Sequence, residues 1–171
     1  MKETPNAAEA PEDPALEWSL SFVRGYFELG MLTQAEAELK KIPAGKQEMP
    51  EVMSLRSHLL VARGKWRRVV THARRAVELF PKAPEYYIHA ATAFDMLGLP
   101  AEGRRVWQSA PDEVRSSGFF HLHVARFEAK LGNVASARDH LAHAFTLDPE
   151  LRFVARRDPS LAEIVSGLSK N

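Results

Sequence analysis

Apolar and polar residues alternate with the period of a helix between Arg63 and Pro81. One face carries Trp66, Val69, Val70, Ala73, Ala76 and Val77, and the opposite face carries Lys65, Arg68, His72 and Arg75. Steps of three and four residues place side chains on one side of an α-helix, so the pattern predicts an amphipathic helix that ends before Pro81. The stretch from Leu131 to Pro149 has a similar apolar pattern with far less positive charge. The shape therefore recurs along the chain, whereas the charge does not.

Four regularly spaced glycines show the period at which this helical pattern recurs. Gly30, Gly64, Gly98 and Gly132 follow one another at intervals of 34 residues. Each of them separates two amphipathic runs, where a left-handed backbone is least costly for a residue without a Cβ atom. Small or apolar residues recur at fixed offsets from these glycines: Ala35, Val69, Gly103 and Ala137 in one set, and Ile42, Ala76, Ala110 and Ala144 in another. The pattern predicts helix pairs that pack closely.

Prolines predict where the helices begin and end. Pro50 and Pro84 stand where first helices are expected to start, since proline fits the first helical turn. Pro43 and Pro111 predict short second helices in the first and third pairs, followed by loops or single turns over residues 44–49 and 111–118. The sequence from Thr33 to Glu36 has the spacing of a capping box at the start of a second helix.

The chain thus resembles the tetratricopeptide repeat (TPR) family, whose unit is a helix–turn–helix of about 34 residues. The resemblance covers most of the chain and is clearest at Ala125, Gly132, Ala137, Ala144 and Pro149. It implies an all-α, right-handed α-solenoid of four helical hairpins, with C-terminal capping helices. We expect a disordered polar tail at 1–14, repeats at about 16–49, 50–83, 84–117 and 118–151 within a repeat region of 15–151, and a capping helix and tail at 152–171.

Composition limits the classes of function. The chain has 171 residues, a formal net charge of +1 and no cysteine, so it offers no global attraction for nucleic acid, no disulfide and no zinc–thiolate site. It has no apolar run as long as a membrane span, and its polar N-terminus lacks the core of a signal peptide. We expect a cytoplasmic protein that binds no membrane and needs no cofactor.

Histidines are the residues closest to a chemical motif. His121 and His123 are two residues apart and point to different helix faces, whereas His140 and His143 share a face. Neither pair is completed by an obvious third ligand, so packing or solvent-facing histidines are favoured over a metal site. Because no nucleophile–base motif is present either, we predict no catalytic residues and no enzymatic activity.

The basic run is a candidate polyanion surface. It comprises Lys65, Arg67, Arg68, His72 and Arg75, and Arg104 and Arg105 could extend it. The resemblance places this helix on the outer, convex side, where a charged face is most often simply solvated. Binding to nucleic acid is therefore the less favoured alternative.

The resemblance implies that the concave groove, lined by first helices, binds a peptide or helix of a partner protein. The positions carried over to this chain are Leu20, Arg24, Phe27, Leu55, His58, Ile88, His89, Thr92, Leu122, His123 and Arg126. Arg24 and Arg126 are expected to orient an acidic group. The predicted function is that of an adaptor or scaffold. A small secretion-type chaperone and self-association through Leu161 or Ile164 remain alternatives.

Overall fold

A computed structural model describes residues 13–168 of the chain. Within this range the secondary structure is helical, with no strand. The α-helices are α1 Pro14–Glu28, α2 Leu32–Lys41, α3 Pro50–Ala62, α4 Trp66–Leu79, α5 Pro84–Met96, α6 Pro100–Gln108, α7 Asp112–Arg115, α8 Gly118–Lys130, α9 Val134–Leu147, α10 Leu151–Arg157 and α11 Ala162–Leu168. The predicted all-α fold class is confirmed.

Each of the periodic glycines adopts the left-handed backbone that its position predicts. The φ angles are +71° at Gly30, +61° at Gly64, +73° at Gly98 and +81° at Gly132. No other residue in the described range has a positive φ. The glycines therefore allow the chain to reverse between consecutive helices, because a side chain would be strained there.

The prolines mark helix ends as predicted. α3 begins at Pro50 and α5 at Pro84, and α4 and α9 end shortly before Pro81 and Pro149. The second helices of the first and third pairs are short, with 10 residues in α2 and nine in α6, against 14 in both α4 and α9. The two junctions contain a 3₁₀ turn at Ala44–Lys46 and the four-residue α7.

The predicted capping box at Thr33 is wrong. α2 begins one residue earlier, at Leu32, and its N-cap is Met31, which makes no side-chain cap. The Met31 N–H donates to the carbonyl oxygen of Tyr26 at 2.8 Å, so the turn after Gly30 sets the start of the helix. Glu36 instead forms ion pairs with Lys40 and Arg63.

The N-terminal tail was expected to extend to residue 14. Residues 1–12 lie outside the described residues. Asp13 is the N-cap of α1, and its carboxylate accepts hydrogen bonds from the backbone N–H groups of Ala15 and Leu16. Pro14 occupies the first turn, so these two residues belong to the helix.

The chain divides into two compact units, residues 1–63 and 64–171. The first unit contains α1, α2, the 3₁₀ turn and α3. Its core joins Leu16, Leu20, Val23, Ala35, Leu39, Ile42, Val52 and Leu59. The core thus draws residues from all three helices, as the packing of a hairpin against the next helix requires.

The second unit contains α4 to α11 and has two apolar clusters. Between α5, α6, α7 and α8 lie Tyr87, Ala91, Trp107, Ala110, Val114, Phe120, Val124 and Phe127. Between α8, α9, α10 and α11 lie Leu122, Ala125, Leu141, Ala144, Phe145, Leu151, Ala155, Leu161 and Val165. α10 and α11 therefore pack onto the last hairpin through their apolar faces.

The structure shows where the two residues considered for self-association lie. Leu161 is fully buried and Ile164 packs against the same cluster. Leu161 therefore presents no apolar surface to a second molecule, whereas Ile164 is half-buried and keeps part of its side chain accessible. In the described part of the chain, no helix has both the length and the apolar character of a membrane span.

Candidate functional site

In the first unit, the predicted groove positions lie at different depths. Leu20 is completely buried in the core, so it cannot contact a partner. Phe27 and Leu55 are half-buried and pack at the edge of the core. Arg24 and His58 are exposed. The accessible part of this surface therefore consists of Arg24, Phe27, Leu55 and His58.

In the second unit, α5 contributes three half-buried groove positions, Ile88, His89 and Thr92. The positions predicted on α8 are less accessible. Leu122 is 1% exposed and belongs to the core, and His123 is 6% exposed. The predicted groove positions lie on α1, α3, α5 and α8, but Leu122 and His123 turn inward, because α8 packs against α6, α9 and α10.

His123 is held among aromatic rings. Its imidazole stacks on the Trp107 indole with ring centroids 4.9 Å apart, and the Phe119 ring meets it at 4.5 Å. Burial, assisted by the nearby Arg126 charge, lowers the pKa of His123 to about 3, although Asp158 opposes this shift. The imidazole is therefore neutral at physiological pH and serves as a packing group.

Arg126 is bound within the protein. Its Nε atom donates to the carboxylate of Asp158, which also accepts hydrogen bonds from the backbone N–H and hydroxyl of Ser160 at 2.9 and 2.6 Å. Burial works to raise the pKa of Asp158, but the hydrogen bonds from Ser160 and the Arg126 charge outweigh it and hold this pKa below its usual value. Arg126 thus joins α8 to the turn before α11, and its charge is already neutralised.

A second ion pair links α5 and α8 at the edge of the same face. The Lys130 ammonium lies 2.5 Å from the Asp95 carboxylate. Phe119, near the start of α8, remains 40% exposed. The accessible surface of α5 and α8 therefore includes Ile88, Thr92 and Phe119, which we call the α5–α8 strip, and the charges of Arg126 and Lys130 on α8 are already paired.

The basic run on α4 is exposed as predicted at Lys65, Arg67 and Arg68, while His72 is half-buried. Arg75 is exposed and pairs with Glu78 at 3.2 Å. The expected extension onto α6 is neutralised. Arg104 pairs with the buried Glu128 at 3.1 Å and Arg105 with Glu102 at 2.6 Å. The exposed positive surface of α4 consequently does not extend onto α6, although the sequence had suggested that it could.

Three histidines meet between α8 and α9. The Nδ1 atoms of His121 and His140 are 3.0 Å apart, and the rings of His121 and His143 stack at 5.3 Å. His121 and His140 also line a surface pocket of about 460 Å³. The sequence had paired only His140 with His143. His121 joins them because the turn at Gly132 folds α8 and α9 into a hairpin.

The histidine cluster has the electrostatics of crowded imidazoles. Burial lowers the pKa of His121, and the neighbouring His140 and His143 lower it further. Burial also lowers the pKa of His140, against the opposing charge of Glu128. Among residues 13–168, no group of three or more histidine or carboxylate side chains has the arrangement of a metal site.

Neither a protein-family model nor a curated protein matches the sequence. Solved structures do match the fold, among them the crystal structure of a thermophilic TPR protein from Thermus thermophilus. The two chains are 18% identical, and the match has a TM-score of 0.65 over 89% of this chain and 82% of the other. Together with the glycine-centred helical hairpins, this match shows that the chain has the fold of the tetratricopeptide-repeat proteins.

Proposed function

We propose that this protein is a non-enzymatic interaction module that binds an apolar or amphipathic segment of another protein. The observation that carries the proposal is the accessibility of Ile88, Thr92 and Phe119 in the α5–α8 strip. The neighbouring cations are already engaged, Lys130 by Asp95 and Arg126 by Asp158. A ligand on this strip would gain more from burying apolar side chains than from presenting a carboxylate.

The first unit offers a second contact surface of the same kind. Phe27 and Leu55 expose part of their apolar side chains, and Arg24 adds an accessible positive charge. A partner that engages this surface could carry one acidic group for Arg24. A secretion-type chaperone would be one form of this function, with its client bound to the same faces.

Polyanion binding receives less support from the geometry. Arg104 and Arg105 on α6 form ion pairs, so α6 does not extend the exposed positive charge of α4. A polyanion would meet mainly Lys65, Arg67 and Arg68. A short row of cations gives only weak, salt-sensitive binding.

The test is capture of a partner with three forms of the tagged protein: wild type, Phe119→Asp and Phe153→Asp. Phe153 is a suitable control because it is 65% exposed and lies on a different helix, α10. We expect wild type and Phe153→Asp to retain the same protein and Phe119→Asp to lose it. Calorimetric titration of the identified segment should then show affinity that changes little with salt.

Retention of that partner by Phe119→Asp would contradict the proposed surface. Circular dichroism of both variants should match wild type, because each substitution is at an exposed position. A partner lost equally from both variants would indicate that added negative charge, rather than the α5–α8 strip, controls binding.

A further inference from the structure

α1 presents an apolar face to solvent on the side opposite its core residues. Trp18 is 67% exposed, Phe22 52% and Leu29 73%. The rings of Trp18 and Phe22 contact each other, with centroids 6.2 Å apart. Steps of four and seven residues place these side chains on one face of the helix, whereas Leu16, Leu20 and Val23 face the core. Three large apolar side chains in a row are more than the scattered exposure of an ordinary surface.

The 34-residue period shows what this face corresponds to in the other first helices. Trp18 aligns with Val52, Tyr86 and Phe120, and Gly25 aligns with Leu59, Ala93 and Phe127. All six of these counterparts are buried. Phe120 and Phe127, for example, pack against Trp107 of the preceding α6, and Val52 and Leu59 pack with Leu39 of the preceding α2.

The face of α1 is therefore an inter-repeat packing surface, and within the described residues no second helix precedes it. In a stack of repeats, each hairpin buries its apolar face only by contact with a neighbour. Trp18 and Phe22 have the residue type of such a contact, and no helix within residues 13–168 covers them. We therefore expect another helix to pack against this face of α1.

The projections and depressions on the surface of α1 indicate which helix packs against it. Gly25 lies two turns after Trp18, and a Cβ atom built on it meets nothing within 4 Å, so the helix has an open depression there. A shallow, open depression of about 480 Å³ lies beside Trp18 and is lined by Pro14, Glu17, Trp18 and Ser21. α1 thus carries both the projections and the hollows of a helix–helix contact.

These features match each other in an antiparallel pair of α1 helices. With the two-fold axis between Ser21 and Phe22, Trp18 of each copy lies over Gly25 of the other. Phe22 and Leu29 of each copy then face the depression beside the other Trp18. The exposed Arg24 of one copy comes near the exposed Glu17 of the other, so the flanks are complementary in charge. In a two-fold symmetric contact, each of these pairwise interactions occurs twice.

We propose that the protein forms a two-fold homodimer through α1, with Trp18 of each copy seated over Gly25 of its partner. The occupant of the exposed face is a second copy of this chain.

The first test is the mass in solution by light scattering at about 100 µM, which exceeds a dissociation constant in the low micromolar range. We expect wild type at twice the 19.2 kDa chain mass. Trp18→Ser/Phe22→Ser should halve this mass, whereas the matched control Phe153→Ser/Val154→Ser on α10 should leave it unchanged. Both pairs are exposed, so neither variant loses core packing.

A third variant tests the proposed geometry without removing any apolar surface. Gly25→Leu adds its side chain into open space, because no atom beyond the adjoining residues and the backbone of the same helix lies within 4 Å of an added Cβ. It should nevertheless give a monomer, since the leucine fills the depression that receives Trp18. A dimer that tolerates Gly25→Leu would overturn the antiparallel arrangement.

Cross-linking provides an independent distance, because the chain has no native cysteine. Ser21→Cys places a thiol next to the two-fold axis and should form a disulfide-linked dimer in air. Glu28→Cys places the two thiols about 20 Å apart along the helices, too far for a disulfide. Equal cross-linking of both variants would overturn the proposal.

Two other outcomes would also overturn it. A wild-type chain that is monomeric at this concentration would leave the helix of a different protein as the occupant of the face. A mass that increases beyond the dimer with concentration, and that falls in Phe153→Ser/Val154→Ser, would indicate head-to-tail assembly between α1 and α10 instead.

Discussion

Gly103 is a residue whose absent side chain is required by the packing of the second unit. A Cβ atom built on it would lie 2.5 Å from Cε1 and 2.7 Å from Cζ of Phe127. Phe127 is 2% exposed and packs in the cluster around Trp107, so its ring has little room to move. α6 and α8 can therefore approach each other closely only with glycine at this position.

We predict that Gly103→Ala destabilises the protein by roughly 1–3 kcal/mol, because overpacking a rigid core outweighs the gain in helix propensity of about 1 kcal/mol. Urea denaturation followed by circular dichroism measures the change. Gly167→Ala is the matched control, since its Cβ would lie 3.4 Å from the flexible end of Arg138. A Gly103→Ala protein as stable as this control would show that the Phe127 ring moves aside.

His123 makes the stability of the protein depend on pH. Its folded pKa of about 3 lies below the unfolded value near 6.5, so the unfolded chain takes up the proton first. The stabilisation is complete above about pH 6.5 and is lost as the pH falls toward 3, with a slope of about 1.4 kcal/mol per pH unit from this group. The lowered pKa values of His121 and His140 act in the same direction.

We predict that His123→Phe reduces this slope between pH 6 and pH 4.5 by about 1.4 kcal/mol per pH unit, since phenylalanine retains the stacking on Trp107 and does not titrate. Urea titrations at a series of pH values measure the slope. Identical slopes in wild type and His123→Phe would show that His123 is accessible to protons in the folded state.

At the scale of the helices, Glu128 connects three elements. It is 5% exposed on α8, accepts a hydrogen bond from Arg104 on α6 at 3.1 Å, and accepts another from Asn133 before α9 at 2.6 Å. Nothing in its local sequence marks Glu128, because its partners come from α6 and from the turn before α9. The buried carboxylate is stabilised by an ion pair and a hydrogen bond.

We predict that Glu128→Ala destabilises the protein by roughly 1–3 kcal/mol, because Arg104 and Asn133 lose their common acceptor. A double-mutant cycle with Arg104→Met isolates the ion pair from the cavity that alanine leaves. The coupling energy should be favourable, although solvent at Arg104 limits it to about 1 kcal/mol. Additive effects of the two substitutions would show that Glu128 stabilises the fold through Asn133 alone.

At the scale of the whole molecule, the charge on α4 is a local feature of a nearly neutral chain. The formal net charge is +1, and several cations outside the Lys65–Arg68 segment are paired. Long-range attraction of polyanions needs either a strong net charge or a continuous basic surface.

We therefore predict that Arg67→Glu/Arg68→Glu changes elution from a heparin column no more than Arg156→Glu/Arg157→Glu does. The two pairs are exposed cations on α4 and α10, so each double variant alters the net charge equally. A shift specific to the α4 variant, together with nucleic acid in the purified wild-type protein, would favour the polyanion function over the proposed one.

The sequence by itself determined the repeat and its helices. The conformation at each glycine and the helix starts at Pro50 and Pro84 are local properties, set by the missing Cβ of glycine and the fixed φ of proline. The same holds for the short α2 and α6. The small residues at fixed offsets, such as Ala35 and Ala137, also point inward as their period predicts, and both are fully buried.

Tertiary structure decided which side chains remain accessible. Leu122 and His123 have the spacing of groove residues, yet their burial depends on α6, α9 and α10, which lie around α8 only after folding. Arg126 forms an ion pair with Asp158, which lies 32 residues later in the chain, and His121 contacts His140 across the α8–α9 hairpin. Helical periodicity fixes a side chain's direction from its own axis, but contacts and charge pairing depend on the neighbouring helices, whose positions no local pattern encodes.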